Sequence, residues 1–441
     1  MRAFTVVVFV TMAATRAAAQ TVAAQDQINP PQTVAGSDSS ASTSNAAPTS
    51  DATSVQEGLA PEPHAITRLI GRVDREVNQN GGPHDGFYPE FGNMITGSGW
   101  ISAGPGYRHQ LFGGRALING SAAVSWNFYK MAQVRFELPQ LAHDHLSVGA
   151  QTMYQDMLQV NYFGVGNNSL ESNRSGYRLD ETDVFGYATW HPGPDWFSIN
   201  GRFGWIHQAE LSTMTGWSVS YPNTLQIFTD ATAPGLTQQP AFLHGDVSVA
   251  VDTRNHAGHP TSGGFYRATF ASYSDRNYGK YSFERYDVEA AHFLPIIEEN
   301  WVIGLRGWAA FSQTSGGNAV PFYLMPSLGG KNTLRGYYDY RFHDRDMEVF
   351  NVESRWGLFT HLDAAIFYDF GKVGPRPGDL DFNHLKTSYG LGFRVHTREA
   401  TVGRLDVGHS AEGWRVVFKL SDPFKRSTLS GGRTEVIPFV P

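Results

Sequence analysis

The chain of 441 residues has no cysteine, which excludes disulfide frameworks, thiolate metal sites and thiol nucleophiles together. Charged side chains are scarce at 17%, and their balance is mildly acidic at −7, so there is no basic footprint for nucleic acid. No stretch approaches the roughly 18 uninterrupted apolar residues of a transmembrane helix. Phosphate-cradling loops and dinucleotide fingerprints are missing too. What is plentiful is glycine, at 47 residues, and aromatic side chains, at 13%. That mixture suits aromatic strands joined by tight turns better than helices. A mean hydropathy of −0.32 does not exclude a membrane barrel, because only alternate strand residues face lipid.

The amino terminus reads as an export signal over Met1–Ala19. Arg2 precedes an apolar run, Phe4–Ala14, too short to span a bilayer, and Ala17-Ala18-Ala19 supplies the small residues of a cleavage site. Gln20–His64 contains no aromatic residue and is predicted to be a disordered linker, since it cannot bury enough apolar surface to offset its ordering entropy. Ala65–Gly86 is a short amphipathic periplasmic segment. Within it Ile66, Leu69, Ile70 and Val73 have helical spacing, compatible with a short helix, a plug or a partly ordered linker. Lys425–Pro441 is a polar tail.

From Phe87 to Phe424 the texture is uniform two-residue alternation. Phe197, Ile199, Gly201, Phe203 and Trp205 interleave with Ser198, Asn200, Arg202 and Gly204. Tyr389, Leu391, Phe393 and Val395 interleave with Gly390, Gly392, Arg394 and His396. Val352 and Trp356 alternate with Asn351, Glu353 and Arg355, and Trp414, Val416 and Phe418 with Arg415, Val417 and Lys419. Each segment thus has one apolar and one polar face. A soluble sandwich shares that pattern, but three features favour a transmembrane barrel. The segments run about nine to twelve residues, the length of a tilted membrane strand. Aromatics stand at segment ends (Trp126, Phe128, Trp190, Trp205, Tyr273, Trp301, Phe424), as interfacial girdles require. Short turns alternate with long polar excursions, notably Ser212–Gln239 and Ser315–Asp346. The expected fold is therefore all-β, a transmembrane antiparallel barrel over Phe87–Phe424.

Six short motifs point further. Leu328-Gly-Gly-Lys-Asn-Thr-Leu-Arg-Gly-Tyr337 resembles the LRGY signature of the BamA/TamA family of outer-membrane proteins, the bacterial surface antigen superfamily. Phe350–Trp356 resembles that family's next strand, and Phe367-Tyr-Asp-Phe-Gly371 its F-x-D-x-G strand. Upstream, Asp252-Thr-Arg254 with Pro260-Thr-Ser-Gly-Gly264 is similar to its DTR…PxxG turn, and Tyr162–Gly166 to its FFGLG element. The last strand, expected to end at Phe424 and to present Trp414, Phe418 and Phe424, resembles the family's aromatic terminal-strand signal. The resemblance implies sixteen strands, with the LRGY loop folded back into the lumen. Counting alternating segments gives fifteen or sixteen, depending on whether Phe87–Met94 forms the first.

The residues support a specific contact within that loop. On the F-x-D strand Ala364, Ile366, Tyr368 and Phe370 form the lipid-side phase, which turns Phe367 and Asp369 inward. An inward carboxylate needs a partner, and a guanidinium is the geometrically best one. Arg335, in a Gly-rich loop with Gly336 and Tyr337, is the expected partner of Asp369, as the resemblance also implies; Glu353 is the other candidate. A solvated loop arginine is the plain alternative.

The resemblance also bounds function. Its best-known members carry periplasmic POTRA domains that bind client chains, and the stretch before Phe87 has room for at most one, with a composition that does not suit it. The expected role is insertion or translocation of protein, or of lipid, at the bacterial outer membrane. Its partners would be outer-membrane lipid and unfolded outer-membrane or secreted clients. A passive channel or structural barrel is the alternative. A barrel hydrolase has less support: Gly408-His-Ser410-Ala-Glu-Gly413 resembles a nucleophile elbow, but Glu412 replaces the closing glycine and the setting is a strand-to-strand turn. His143 and His145 have strand-type ligand spacing without a third ligand. No catalytic, cofactor or metal residue is assigned.

Overall fold

The computed structural model describes residues 58–64, 67–68, 70, 85–91, 101–215, 221–397 and 399–424. The export signal, most of the linker and amphipathic segment, and the tail lie outside the described residues. Sixteen antiparallel strands form one meandering sheet: β1 (Gly86–Phe91), β2 (Ser102–Leu111), β3 (Ala116–Ser125), β4 (Lys130–Leu141), β5 (Leu146–Tyr162), β6 (Ser175–Trp190), β7 (Phe197–Ser212), β8 (Phe242–Asp252), β9 (Gly263–Asp275), β10 (Phe283–Ile297), β11 (Trp301–Gln313), β14 (Asp346–Phe359), β15 (Leu362–Gly374), β16 (Lys386–His396), β17 (Thr401–Ser410) and β18 (Gly413–Lys419). Two short strands, β12 (Ser327–Leu328) and β13 (Phe342–His343), pair only with each other inside the loop between β11 and β14. No helix among the described residues is long and apolar enough to cross a membrane.

The alternation makes the barrel. Outward residues form an apolar coat: Phe203, Val247, Ile366, Leu391, Trp414 and Val416 are each exposed, while their strand neighbours are buried or half-buried. In water such a surface would be an aggregation site; against lipid it is the required one. Several strands exceed the expected length. β5, β6 and β7 have 17, 16 and 16 residues, more than the about nine to eleven that a tilted strand needs for the hydrocarbon layer. The surplus lies on the side of the long loops, where β5 runs on beyond Asp156, its last residue paired with β4.

The interior differs from an open wet lumen. The β11–β14 loop places Val320, Phe322, Tyr323, Leu324, Met325 and Tyr340 in one buried cluster with inward side chains of β4–β10, including Met131, Met153, Tyr177, Phe185 and Phe283. Two of the expected girdle aromatics belong inside. Tyr273 shares the inward phase of Phe265 and Ala271 and packs in that cluster. Phe424 lies beyond β18, which stops at Lys419, and packs with Ala291, Phe293 and Val302. The expected last strand ending at Phe424 is thereby corrected. After Lys419 the chain leaves the sheet and turns inward, where Asp422 ion-pairs with Arg355 on β14 at 2.8 Å. Trp414 and Phe418 do sit on β18, Trp414 facing lipid.

Residues 58–64, read from composition as linker, run along the short-turn rim. Leu59 and Ala60 donate to the carbonyls of Gly357 and Leu358 at 3.1 and 3.0 Å, and Glu62 accepts from the backbone N–H of His361 at 3.0 Å. Backbone bonds hold this stretch, which composition alone does not reveal.

Candidate functional site

Four adjacent strands present one inward surface on which the β11–β14 loop rests. Antiparallel register aligns Asn351, Asp369 and Ser388 in one row across β14–β16, and Glu353, Phe367 and Gly390 in the next, continuing to Gly408 on β17. Gly390 leaves room for the Phe367 ring, whose Cζ lies 2.6 Å from where a Gly390 Cβ would stand. At Gly408 a Cβ would come within 3.0 Å of the Arg335 carbonyl, so the loop backbone rests directly on the strand there.

The loop is shaped for this approach. Gly329 and Gly330 adopt φ of 116° and 86°, a region costly for other residues, and Gly330 N–H donates to the Leu334 carbonyl at 3.1 Å. Arg335 then projects into the wall. Its Nε donates to Asp369 Oδ2 at 3.0 Å and its terminal nitrogen to Oδ1 at 2.7 Å, a bidentate fork. The Arg335 backbone N–H also donates to Asp369 Oδ2, at 3.1 Å. The other guanidinium nitrogen donates to Glu353, and the guanidinium carbon lies 3.6 Å above the Phe367 ring centroid. Asp369 additionally accepts from Asn351 at 2.9 Å and Ser388 at 3.2 Å, while Asn351 donates to the Thr333 carbonyl at 2.7 Å. Next in the loop, the Gly336 carbonyl accepts from Ser410 at 2.8 Å, and Tyr337 packs against Phe342.

A larger network surrounds the pair. Glu353 also receives Arg355 and Arg394, at 2.8 Å each. Arg394 reaches Asp406 at 2.6 Å, and Arg404 lies 3.5 Å from the same carboxylate. With Asp422 on Arg355, four guanidiniums (335, 355, 394, 404) face four carboxylates (353, 369, 406, 422), so the buried network is electrically balanced. Arg404 and Arg306 donate to the Lys331 and Asn332 carbonyls at 3.0 and 2.7 Å, fixing the loop backbone on either side. Farther along the loop, burial with Arg341 alongside pushes the His343 imidazole down to about 3, so the ring is neutral.

Of the residues expected at the loop contact, Arg335, Glu353, Phe367 and Asp369 meet in this one place, Gly336 lies beside them on Ser410, and Tyr337 packs instead against Phe342. Arg335 engages both carboxylates, and not one of the two candidates alone. Arg355, Arg394, Arg404, Asp406, Asn351 and Ser388 were not foreseen as members. Their signal was available, since Arg355 and Arg394 occupy the inward phase of the same alternation. The expected terminal trio does not form a unit, because Phe424 is off the strand and inside.

The fold is shared with known barrels. BamA from Haemophilus ducreyi, in a structure lacking POTRA domains 1–3, is 15% identical with a TM-score of 0.57, over 76% of this chain and 70% of that one. CdiB from Escherichia coli is 13% identical with a TM-score of 0.52, over 77% of this chain and 63% of that one. The chain thus spans under two thirds of the CdiB length. Residues 111–405 match the Omp85 superfamily domain, and the chain, a β-barrel of the bacterial outer membrane, belongs to that superfamily.

Proposed function

We propose that this barrel inserts or translocates protein, or lipid, at the outer membrane, acting at the seam between β1 and β18 while the seated loop keeps the lumen closed. The observation that carries it is the seam itself. Among the described residues no ladder joins β18 to β1, and β18, at seven residues, is shorter than any main-sheet strand from β2 to β17. A short, underpaired edge is a template for an incoming strand and a weak point in the wall. The Arg335–Asp369 contact is, in this proposal, a latch that holds the loop in place. POTRA domains are not invoked, and no catalytic step is involved.

The passive-channel alternative is opposed by the packed aromatic interior, where loop residues and the inward side chains of β4–β10 form one buried cluster. Depleting the protein from its own cell tests the choice. The expected result is selective loss of some outer-membrane or secreted proteins, or altered surface lipid, restored by the wild-type chain. An unchanged envelope, together with steady conductance of the purified protein in a planar bilayer, overturns it.

A further inference from the structure

A cavity of about 400 Å³ lies between the edge of β18, the β3–β4 turn and the seated loop. Four consecutive residues of β18, Trp414 to Val417, border it, as a strand edge does and one face of a paired strand does not. Trp414 and Val416 are also exposed on the outer face, so the cavity meets the lipid side at this edge. Its volume falls at the lower end of small-ligand sites, roughly 300–1,000 Å³, with room for one headgroup.

Its height is that of the outer headgroup layer. The β3–β4 and β17–β18 connections, residues 126–129 and 411–412, are short turns at the long-loop end of the wall. Trp126, Phe128 and Trp414 are exposed there, as an interfacial aromatic belt requires. Beside Tyr129, which lines the cavity, Lys130 stands on the outward face with its ammonium 3.4 Å from Asp156. A charge on the lipid side is costly at the bilayer midplane and cheap at the interface.

The walls gather positive charge. Arg174, Lys331 and Arg415 line the cavity against one lining carboxylate, Asp339, whereas the latch network matches each guanidinium with a carboxylate. Among the described residues Arg174 has no carboxylate partner; its Nε and a terminal nitrogen donate to the Asn161 amide oxygen at 3.3 and 3.2 Å. The Arg415 Nε is buried without a hydrogen-bond partner, and the Glu171 carboxylate is 3.7 Å from a terminal nitrogen, on an exposed side chain. Both guanidiniums nevertheless converge on one ring, that of Tyr338, at 4.0 and 3.1 Å from its centroid. An anion with several oxygens, such as a phosphate, offsets two arginines held this close. The other walls suit a sugar. Tyr221, Tyr338 and Trp414 offer aromatic planes for its C–H faces, and Asn161 is fixed by the Tyr221 hydroxyl at 3.0 Å.

We propose that this cavity binds the phosphorylated sugar headgroup of an outer-leaflet glycolipid. Arg174 and Arg415 take the phosphate, and the acyl chains lie outside β18 along Trp414 and Val416. An incoming protein strand would pair with the β18 edge through backbone bonds and has no need of three cations beside it. The assignment rests on the barrel standing in the outer membrane and does not need the seam to open.

The test titrates the full barrel in detergent with a diphosphorylated diglucosamine lipid and reads bound copies by native mass spectrometry. One copy per chain is expected, with binding weaker by about tenfold or more for the same lipid stripped of its phosphates and for phosphatidylglycerol. Arg174→Gln and Arg415→Gln should each weaken binding by about tenfold, the loss of one charge-assisted contact. Lys130→Gln, at the same height but outside the cavity, should leave it unchanged. The lipid comparison uses the wild-type chain, so it decides even where a variant fails to fold. Equal binding of the dephosphorylated lipid or of phosphatidylglycerol, unchanged affinity in both arginine variants, or an equal loss in Lys130→Gln would overturn the assignment. So would displacement of the lipid by inorganic phosphate at equal concentration, or an aromatic-ended strand peptide that loses binding in the arginine variants while the lipid does not. Binding is read in detergent, so its failure leaves the seam mechanism standing, and a seam that never opens leaves this site standing.

Discussion

Arg335 and Asp369 meet in a bidentate fork at 3.0 and 2.7 Å, with the Arg335 backbone N–H adding a third bond to the same carboxylate. Side chain and backbone of one loop residue are thus fixed to one wall residue, with neither group in contact with bulk solvent. Such a pair contributes little net stability relative to apolar packing, but removing one partner leaves a buried charge.

Asp369→Ala should therefore destabilise the seated loop by about 3–5 kcal/mol. Protease nicking between residues 314 and 345 on intact cells would report it. Asp369→Arg should be worse, and pairing it with Arg335→Asp should restore only part of the protection, because a carboxylate at 335 would face Glu353 and Asp406. Equal protection in all three variants would remove the latch.

Glycine positions make a steric prediction. At Gly390 a Cβ would stand 2.0 Å from the Val407 carbonyl oxygen and 2.6 Å from Phe367, so Gly390→Ala should displace Phe367 and release Arg335. Gly403 on β17 has open space, and its alanine variant should behave as wild type. Arg335 release would be read by the same proteolysis, and folding by unfolding in urea.

Acid should loosen the loop. In the released loop His343 takes a proton near its ordinary 6.5, whereas in the seated loop burial and Arg341 hold it down to about 3. The seated state therefore keeps its full stability above pH 6.5 and loses it as pH falls from there toward 3. Protection of residues 314–345 should decline over that window, and His343→Asn should flatten the part of the decline that belongs to this residue.

Much of the fold was legible because alternation is a direct consequence of strand geometry. The inward phase of Phe367 and Asp369 followed from Ile366 and Tyr368 on the lipid side, and both outward residues are exposed. Aromatics at strand ends were less informative, since a ring at that position serves either the lipid interface or a packed interior. Phase would have separated them: Tyr273 shares its parity with Phe265, not with the exposed Phe270. Phe424 carried no such cue, as the chain leaves the strand after Lys419. The buried contact among His259, Asp363 and His396 was only half legible: Asp363 and His396 are neighbours through the β15–β16 pairing, but His259 is brought to them by a turn that reaches the start of β17.

Packing of the loop cluster predicts a closed pore. The wild-type protein should show little conductance in a planar bilayer, and Arg335→Ala should raise it by freeing Phe322, Tyr323 and Leu324 from the interior. A wild-type barrel already as conductive as the variant would contradict a seated loop.

The seam is where the account is tested most directly. Because the chain has no cysteine of its own, single cysteines placed along Gly86–Phe91 and Gly413–Lys419 allow β1 and β18 to be joined by one disulfide at will. Locked cells should lose the same envelope proteins or lipids as depleted cells, and a reductant should restore them. Full function with the seam quantitatively locked would contradict the proposed mechanism.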